Sequence, residues 1–178
     1  IDSDISSKTK LNFKYQDVTN DDYLKIHNLS YSSPLIESES LLTTKLSITK
    51  DIDENTNLDT NFTVYEDLSK KDSDRFQYIL PNFTYTKNII IPENYNGNFK
   101  FISNGFQKNY DTNKYEALFN NDFLFESNNF VSQNGFLTDY DLLLKNFNAY
   151  SENSSNYEDK NDHEIYSTIL LKSELPLK

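Results

Sequence analysis

The sequence predicts an all-β fold, an antiparallel up-and-down meander, and three observations carry that prediction. Apolar residues alternate with polar ones at period two in stretch after stretch, so each strand turns one face to something oily and one to something wet. Aromatic residues reach 15%, as 13 Tyr and 13 Phe, while mean hydropathy is only -0.74. That combination suits half-buried pleated surfaces rather than disorder, whose compositions are poor in aromatics. Polar clusters at 19–21, 51–55, 69–73, 111–113 and 128–129 punctuate the pattern as turns do. No amphipathic helix of useful length appears, and no repeated motif marks a solenoid or propeller.

Strands are predicted at 10–17 and 22–31, then at 39–49, where Leu42, Thr44, Leu46 and Ile48 oppose Thr43, Lys45, Ser47 and Thr49. In 57–68, Leu58, Thr60, Phe62 and Val64 oppose Asp59, Asn61 and Thr63. In 74–86 the apolar set runs Phe76, Tyr78, Leu80 and then Phe83, Tyr85. The phase slips at Leu80-Pro81, where a proline without an N–H interrupts the ladder, so a bulge is predicted there.

A strand at 98–110 leads into the strongest signal, 114–127. Tyr115, Ala117, Phe119, Phe123 and Phe125 share one face with Asn121 as the one break. Glu116, Asn120, Asp122 and Glu126 occupy the other, with Leu118 and Leu124 as exceptions. Its dozen or so residues match a tilted strand crossing a bilayer. In 135–149, Phe136, Tyr140, Leu142 and Leu144 oppose Asp139, Asp141 and Lys145, blurred by Leu137 and Leu143. The stretch 151–162 reads as too polar to be structured by itself, and a last strand is predicted at 164–175.

Alternation alone supports two architectures equally: a soluble sandwich with the apolar faces inside, or a membrane barrel with them towards lipid. Long strands joined by short turns in an unbroken meander favour the barrel, as does an acidic, hydrated polar face. The absence of Trp and the mere 3 Gly weigh the other way. Tyr23, Tyr95, Tyr110, Tyr115 and Tyr150 lie near predicted strand ends, where phenols suit a membrane interface. On the barrel reading Phe119, Phe123 and Phe125 face lipid, while Glu116, Asn120, Asp122 and Glu126 face the lumen.

Composition narrows the function classes. Without Cys there is no disulfide, thiolate nucleophile or Cys-ligated zinc. No run of 18 apolar residues marks a membrane-spanning helix. The net charge of -11 argues against nucleic acid and against a polybasic membrane anchor. With no Met, and with Ile1-Asp2-Ser3-Asp4 unlike a signal peptide, the chain is expected to be a processed piece of something longer. His27 and His163 are the only histidines and form no catalytic or metal spacing, so no enzyme, cofactor or metal is expected. Asp51, Asp53 and Glu54, like Asp159, Asp162 and Glu164, loosely suggest calcium loops. Both sets lack the Gly of the sharp turn and read as solvated loop charge.

The run Ser73-Asp74-Arg75-Phe76-Gln77-Tyr78-Ile79-Leu80-Pro81 resembles the Ser-Asp-Arg-aromatic-x-Tyr-x-Leu-Pro strand of LPS-assembly outer-membrane barrels. These are the LptD, or organic-solvent-tolerance, family, and the resemblance is to its alphaproteobacterial members. Gly105-Phe106-Gln107-Lys108-Asn109-Tyr110-Asp111-Thr112-Asn113 follows in the same order, then Asn121-Asp122-Phe123-Leu124-Phe125-Glu126-Ser127, Gly135 and Leu144-Lys145-Asn146-Phe147-Asn148. Upstream, 23–30 and Pro34-Leu35-Ile36-Glu37-Ser38 resemble the family's paired strands, so the resemblance covers most of 20–178.

The resemblance implies an outer-membrane barrel that takes lipopolysaccharide from periplasmic bridge proteins and inserts it into the outer leaflet. It implies a plug lipoprotein of the LptE type inside the barrel, and an inner-membrane ATPase as the power source, with no chemistry in the barrel. This chain departs from the family by lacking its cysteines and periplasmic domain. It reads as an internal arc of the wall, with two unpaired edges and an exposed lipid face. A soluble secreted β-sandwich module binding glycan or protein is the alternative, and a porin or receptor barrel a third.

Overall fold

In the computed structural model, which describes residues 2–27, 38–71, 74–110, 112–154 and 157–175, ten strands form one antiparallel sheet. The strands are β1 (Asp2–Ser6), β2 (Thr9–Lys14), β3 (Leu41–Asp53), β4 (Thr56–Asp67), β5 (Phe76–Ile89), β6 (Gly97–Tyr110), β7 (Tyr115–Ser127), β8 (Phe130–Val131), β9 (Leu137–Glu152) and β10 (Lys160–Glu174). They neighbour one another in sequence order, apart from β8, a short spur on β9. β1 pairs with β2 and β10 with β9, so the strand path is open at both ends among the described residues. The antiparallel meander predicted from alternation is the fold.

Turn chemistry follows the sequence. Asn96, Asn113 and Asn153 take the left-handed backbone conformation, with φ of 46°, 57° and 52°. Asn is one of the few residues that tolerates it, because its short amide bonds its own backbone. The phase slip in β5 is a bulge. Between Ile79 and Asn82, β5 advances three residues while β4 (Asn61 to Thr63) and β6 (Lys108 to Phe106) each advance two. The extra residue, at the cis Leu80–Pro81 bond, keeps Tyr78 and Phe83 on the same face although their numbers differ in parity.

Four expectations need correction. The strand predicted at 22–31 is instead a single helical turn, α1 (Tyr23–Ile26), with residues 28–31 outside the described residues. Leu24 is drawn inward there against Leu42 and Leu68, and tertiary contact overrides a weak local signal. The paired-strand resemblance therefore fails over 23–26; Pro34 to Glu37, like Ser73, lie outside the described residues, and Ser38 is in no strand. The polar stretch 151–162 is not unstructured at its ends. β9 runs through Glu152 and β10 starts at Lys160, because backbone pairing across the hairpin (Lys160 with Ser151) does not depend on apolar side chains. β1, too polar to register as a strand, and β8, too short, were not expected.

The sheet has almost no interior. Among the described residues only Leu24, Leu42 and Leu68 are buried hydrophobics, with Val18 packed beside them. The chain exposes 12307 Å², against roughly 9000 Å² expected of a compact monomer of its mass. Arg75 fastens this corner by bonding Asp21 (2.7 Å) and Glu66 (2.7 Å), tying the segment before α1 to the ends of β4 and β5.

Candidate functional site

Antiparallel register fixes which side chains share a face, because residues directly opposite point the same way. In β7, Phe119, Phe123 and Phe125 stand opposite Gly105, Phe101 and Phe99 of β6 and opposite Asn148, Leu144 and Leu142 of β9. Phe83 and Tyr85 of β5 join them through Gly105 and Ser103. Ring contacts stitch the face laterally, with Phe101–Phe123 centroids 4.8 Å apart, Phe83–Phe119 at 6.1 Å and Phe125–Tyr140 at 5.7 Å. Nothing in the described chain covers this aromatic face: Phe119 is 44% exposed and Leu144 46%. The predicted phenylalanine set is thus brought onto one surface.

The opposite face is a lattice of cross-strand polar pairs. Glu116, itself buried, accepts from Lys108 Nζ (3.0 Å) and from Ser154 Oγ (2.8 Å). Asp122 pairs with Lys145 at 3.0 Å, and Asn120 donates to Asn104 Oδ1 at 3.3 Å while its own Oδ1 accepts no bond among the described residues. Lys172 reaches both Asp139 (3.3 Å) and Asp141 (2.9 Å). Glu126 is exposed and stands opposite Asp141. All four predicted polar residues, Glu116, Asn120, Asp122 and Glu126, therefore share one face with Lys108, Lys145 and Lys172.

The sequence alone places Lys145 on the polar side of its strand; Lys108 and Lys172 were not singled out, yet a signal was there. A turn at 111–113 makes residues equidistant from it partners, which sets Lys108 opposite Glu116. The polar face also carries an apolar hollow of about 560 Å³, where Phe106, Leu118, Phe147 and Ala149 meet Tyr157. Leu118 was an exception to the alternation for this reason.

The strand ends add a tyrosine cluster and a second set of ion pairs. Tyr110, Tyr115 and Tyr150 sit at one end of β6, β7 and β9, with the Tyr115 and Tyr150 rings 5.5 Å apart and Lys114 Nζ 5.7 Å from the Tyr110 ring. Tyr23 lies in α1 and Tyr95 in the 3-10 turn Glu93–Tyr95 between β5 and β6. Asp74 accepts from Lys114 Nζ at 2.5 Å and from Thr112. Those bonds, the lysine's foremost, hold the Asp74 carboxyl below the usual carboxylate range. Hydrogen bonds from Arg75 do the same for Asp21, and the two carboxylates raise Arg75 in turn.

No protein-family model matches this chain, and no curated protein matches it. Among the described residues no group of three or more His, Asp or Glu is placed to hold a metal ion. Asp53 instead caps its own turn, accepting from Asn55 N (2.8 Å) and Thr56 Oγ1 (3.0 Å). His163 Nδ1 lies 3.0 Å from Asn148 Oδ1, and the His27 and Tyr23 rings meet tilted with centroids 4.6 Å apart.

One consequence concerns acid. A carboxylate whose folded-state pKa is depressed contributes stability above its unfolded pKa, and that contribution disappears as pH falls through the folded value. The Asp74–Lys114 pair therefore loosens the β6–β7 turn on the acid side of the carboxylate range. Melting temperature against pH checks this: Asp74→Asn should flatten the acid-side decline, and an unchanged decline would rule the pair out as its cause.

Proposed function

We propose that this chain is part of the wall of a transmembrane β-barrel of the LPS-assembly type in the outer membrane, moving lipopolysaccharide rather than catalysing a reaction. The observation that supports a membrane barrel is the division of faces, and the LPS-assembly type rests on the sequence resemblance that begins at Ser73–Pro81. One surface gathers the Phe, Tyr and Leu side chains, uncovered by the described chain and crossed by one polar row at Ser103, Asn121 and Asn146, and the other carries the Lys, Asp, Glu and Asn pairs around a small apolar hollow. A membrane barrel places the first against acyl chains and the second against a water-filled lumen, and closes its strands so that no backbone group meets lipid unpaired. Strands of 12–16 residues in β3 to β7, β9 and β10 have the length that crossing requires. A soluble β-sandwich binding glycan or protein would need a second sheet over the aromatic face, and all described strands belong to one sheet.

On this reading the lumen face meets the polar sugars of lipopolysaccharide and a plug lipoprotein of the LptE type, and periplasmic bridge proteins deliver the lipid. The test is fractionation of the full-length parent from cells. Recovery with the outer membrane and heat-modifiable migration on a gel are the expected results. Depletion should then remove newly made lipopolysaccharide from the cell surface. Cooperative folding of the 178-residue chain as a monomer in plain buffer would overturn the barrel.

A further inference from the structure

The apolar hollow interrupts the polar face of the sheet. Three strands build its floor: Phe106 of β6, Leu118 of β7, and Phe147 and Ala149 of β9, with Leu118 opposite Phe106 on one side and Ala149 on the other. The β9–β10 connection folds over this floor. Ser154 Oγ donates to Glu116 (2.8 Å), Ser151 Oγ donates to the Glu158 carbonyl oxygen (2.6 Å), and Tyr157 lines the mouth. β10 contributes only rim residues, Lys160 and Asp162, so the hollow stands whatever strand lies beyond β10. Tyr157 is 64% exposed and about 560 Å³ stays open, within the roughly 300–1,000 Å³ of small-molecule sites.

The polar groups around the hollow are mostly acceptors. Glu116, Glu158 and Asp162 line it, against one lysine, Lys160. Glu164, opposite Phe147, adds a carboxylate on the same face, and Lys108 adds a lysine 3.0 Å from Glu116. Four carboxylates thus stand around two lysines. Next along β7 on the same face, Asn120 Oδ1 and Asp122 Oδ1 are buried and accept no hydrogen bond among the described residues. Buried acceptors without donors are costly. An apolar floor, an aromatic ring at the mouth, surplus negative charge and idle acceptors share one complement. It is a cation that donates N–H bonds and carries an apolar body.

We infer that the hollow binds an organic ammonium ion of that kind, an aryl- or alkylamine. Its body lies on Phe106, Leu118, Phe147 and Ala149, and its N–H groups turn to the carboxylate rim. Burial of the body supplies affinity, the rim selects the sign of the charge, and the Tyr157 ring attracts the cation through its face. This goes beyond the transport reading and does not rest on it, since the site is the same whether the polar face meets a lumen or bulk water.

Tryptamine is a suitable probe, with tryptophol and indole-3-acetate as its neutral and anionic counterparts. Equilibrium dialysis of labelled probes against the full-length parent in nonionic detergent, with protein-free detergent subtracted, should show saturable retention of tryptamine. Tryptophol should bind about tenfold or more weakly, the scale of one charge-assisted hydrogen bond, and indole-3-acetate more weakly still. Glu158→Lys with Asp162→Lys turns the rim basic and leaves the floor alone. It should lose most of the tryptamine and gain indole-3-acetate, a gain that a misfolded chain would not show. Asp51→Lys with Asp59→Lys makes the same change of net charge on β3 and β4, at exposed positions, and should alter neither.

Tryptamine retention no greater than that of tryptophol or indole-3-acetate overturns the inference. So does an equal loss in the β3–β4 variant, since that marks general attraction to an acidic chain. A rim variant that keeps tryptamine, or loses it without gaining the anion, overturns it as well. No lipid enters the dialysis, so failure here leaves the barrel reading standing. Recovery of the parent outside the outer membrane would in turn leave this site standing.

Discussion

Phe123→Arg is expected to destabilise the chain in a phospholipid bilayer by about 2–4 kcal/mol, and Asn104→Arg by no more than about 1 kcal/mol. Phe123 lies near the middle of β7 on the aromatic face, between Phe101 and Leu144, with its ring 4.8 Å from that of Phe101. In lipid a guanidinium there loses its hydration and has no partner. Asn104 stands across the sheet on the polar face, bonded to Asn120, where the barrel reading places water that solvates an added charge. Urea titration of both variants after reconstitution gives the two penalties. A large difference supports lipid on one side and a lumen on the other. Equal penalties would sink the assignment of Phe119, Phe123 and Phe125 to lipid and of Glu116, Asn120, Asp122 and Glu126 to the lumen.

Gly105→Val is the second large effect, at about 1–3 kcal/mol, the usual penalty for overpacking. Gly105 stands between Phe83 and Phe119 in register, and those two rings close over it at 6.1 Å. A Cβ at this position would collide with the Leu118 carbonyl oxygen and meet the Phe83 ring at 3.2 Å. The ring could swing aside, but the carbonyl belongs to the β6–β7 ladder, so a branched side chain must push two strands apart. Aromatic residues flanking a strand glycine in this way supply the packing that the glycine lacks. Phe119→Ala combined with Gly105→Val should recover nothing, because the conflict is with backbone; recovery would show that the ring alone was in the way. The same urea titration measures both.

Much of this was legible in the sequence, for a physical reason. Period-two alternation is a direct image of a sheet with two different surroundings, so the faces of β3, β4, β7 and β9 could be assigned before their neighbours were known. The bulge at Pro81 was legible because a chain that must keep Phe76, Tyr78, Phe83 and Tyr85 together has to absorb one residue somewhere. What escaped depends on neighbours. Nothing local in Tyr23 to Ile26 announces a helical turn, which exists because Leu24 finds Leu42 and Leu68. Likewise β1 is Asp-Ser-Asp-Ile-Ser, and only its ladder with β2 makes it a strand. The salt bridges required the register, which the sequence implies only after the turns are located.

The order of the strands has a consequence for how the chain is made. Each long strand pairs only with the strands before and after it in sequence, so the sheet itself grows between neighbouring segments, and the longer-range ties, such as Arg75 to Asp21, are added at its corner. Among all-β topologies a meander keeps the loop entropy lost before each gain small. Assembly can proceed hairpin by hairpin, each new strand zipping onto the last and hiding one exposed edge while creating another. The growing sheet is always one strand from completion and always adhesive at its newest edge. A lesion in one hairpin, such as a side chain at Gly105, therefore stalls every strand that follows it and leaves those already formed intact.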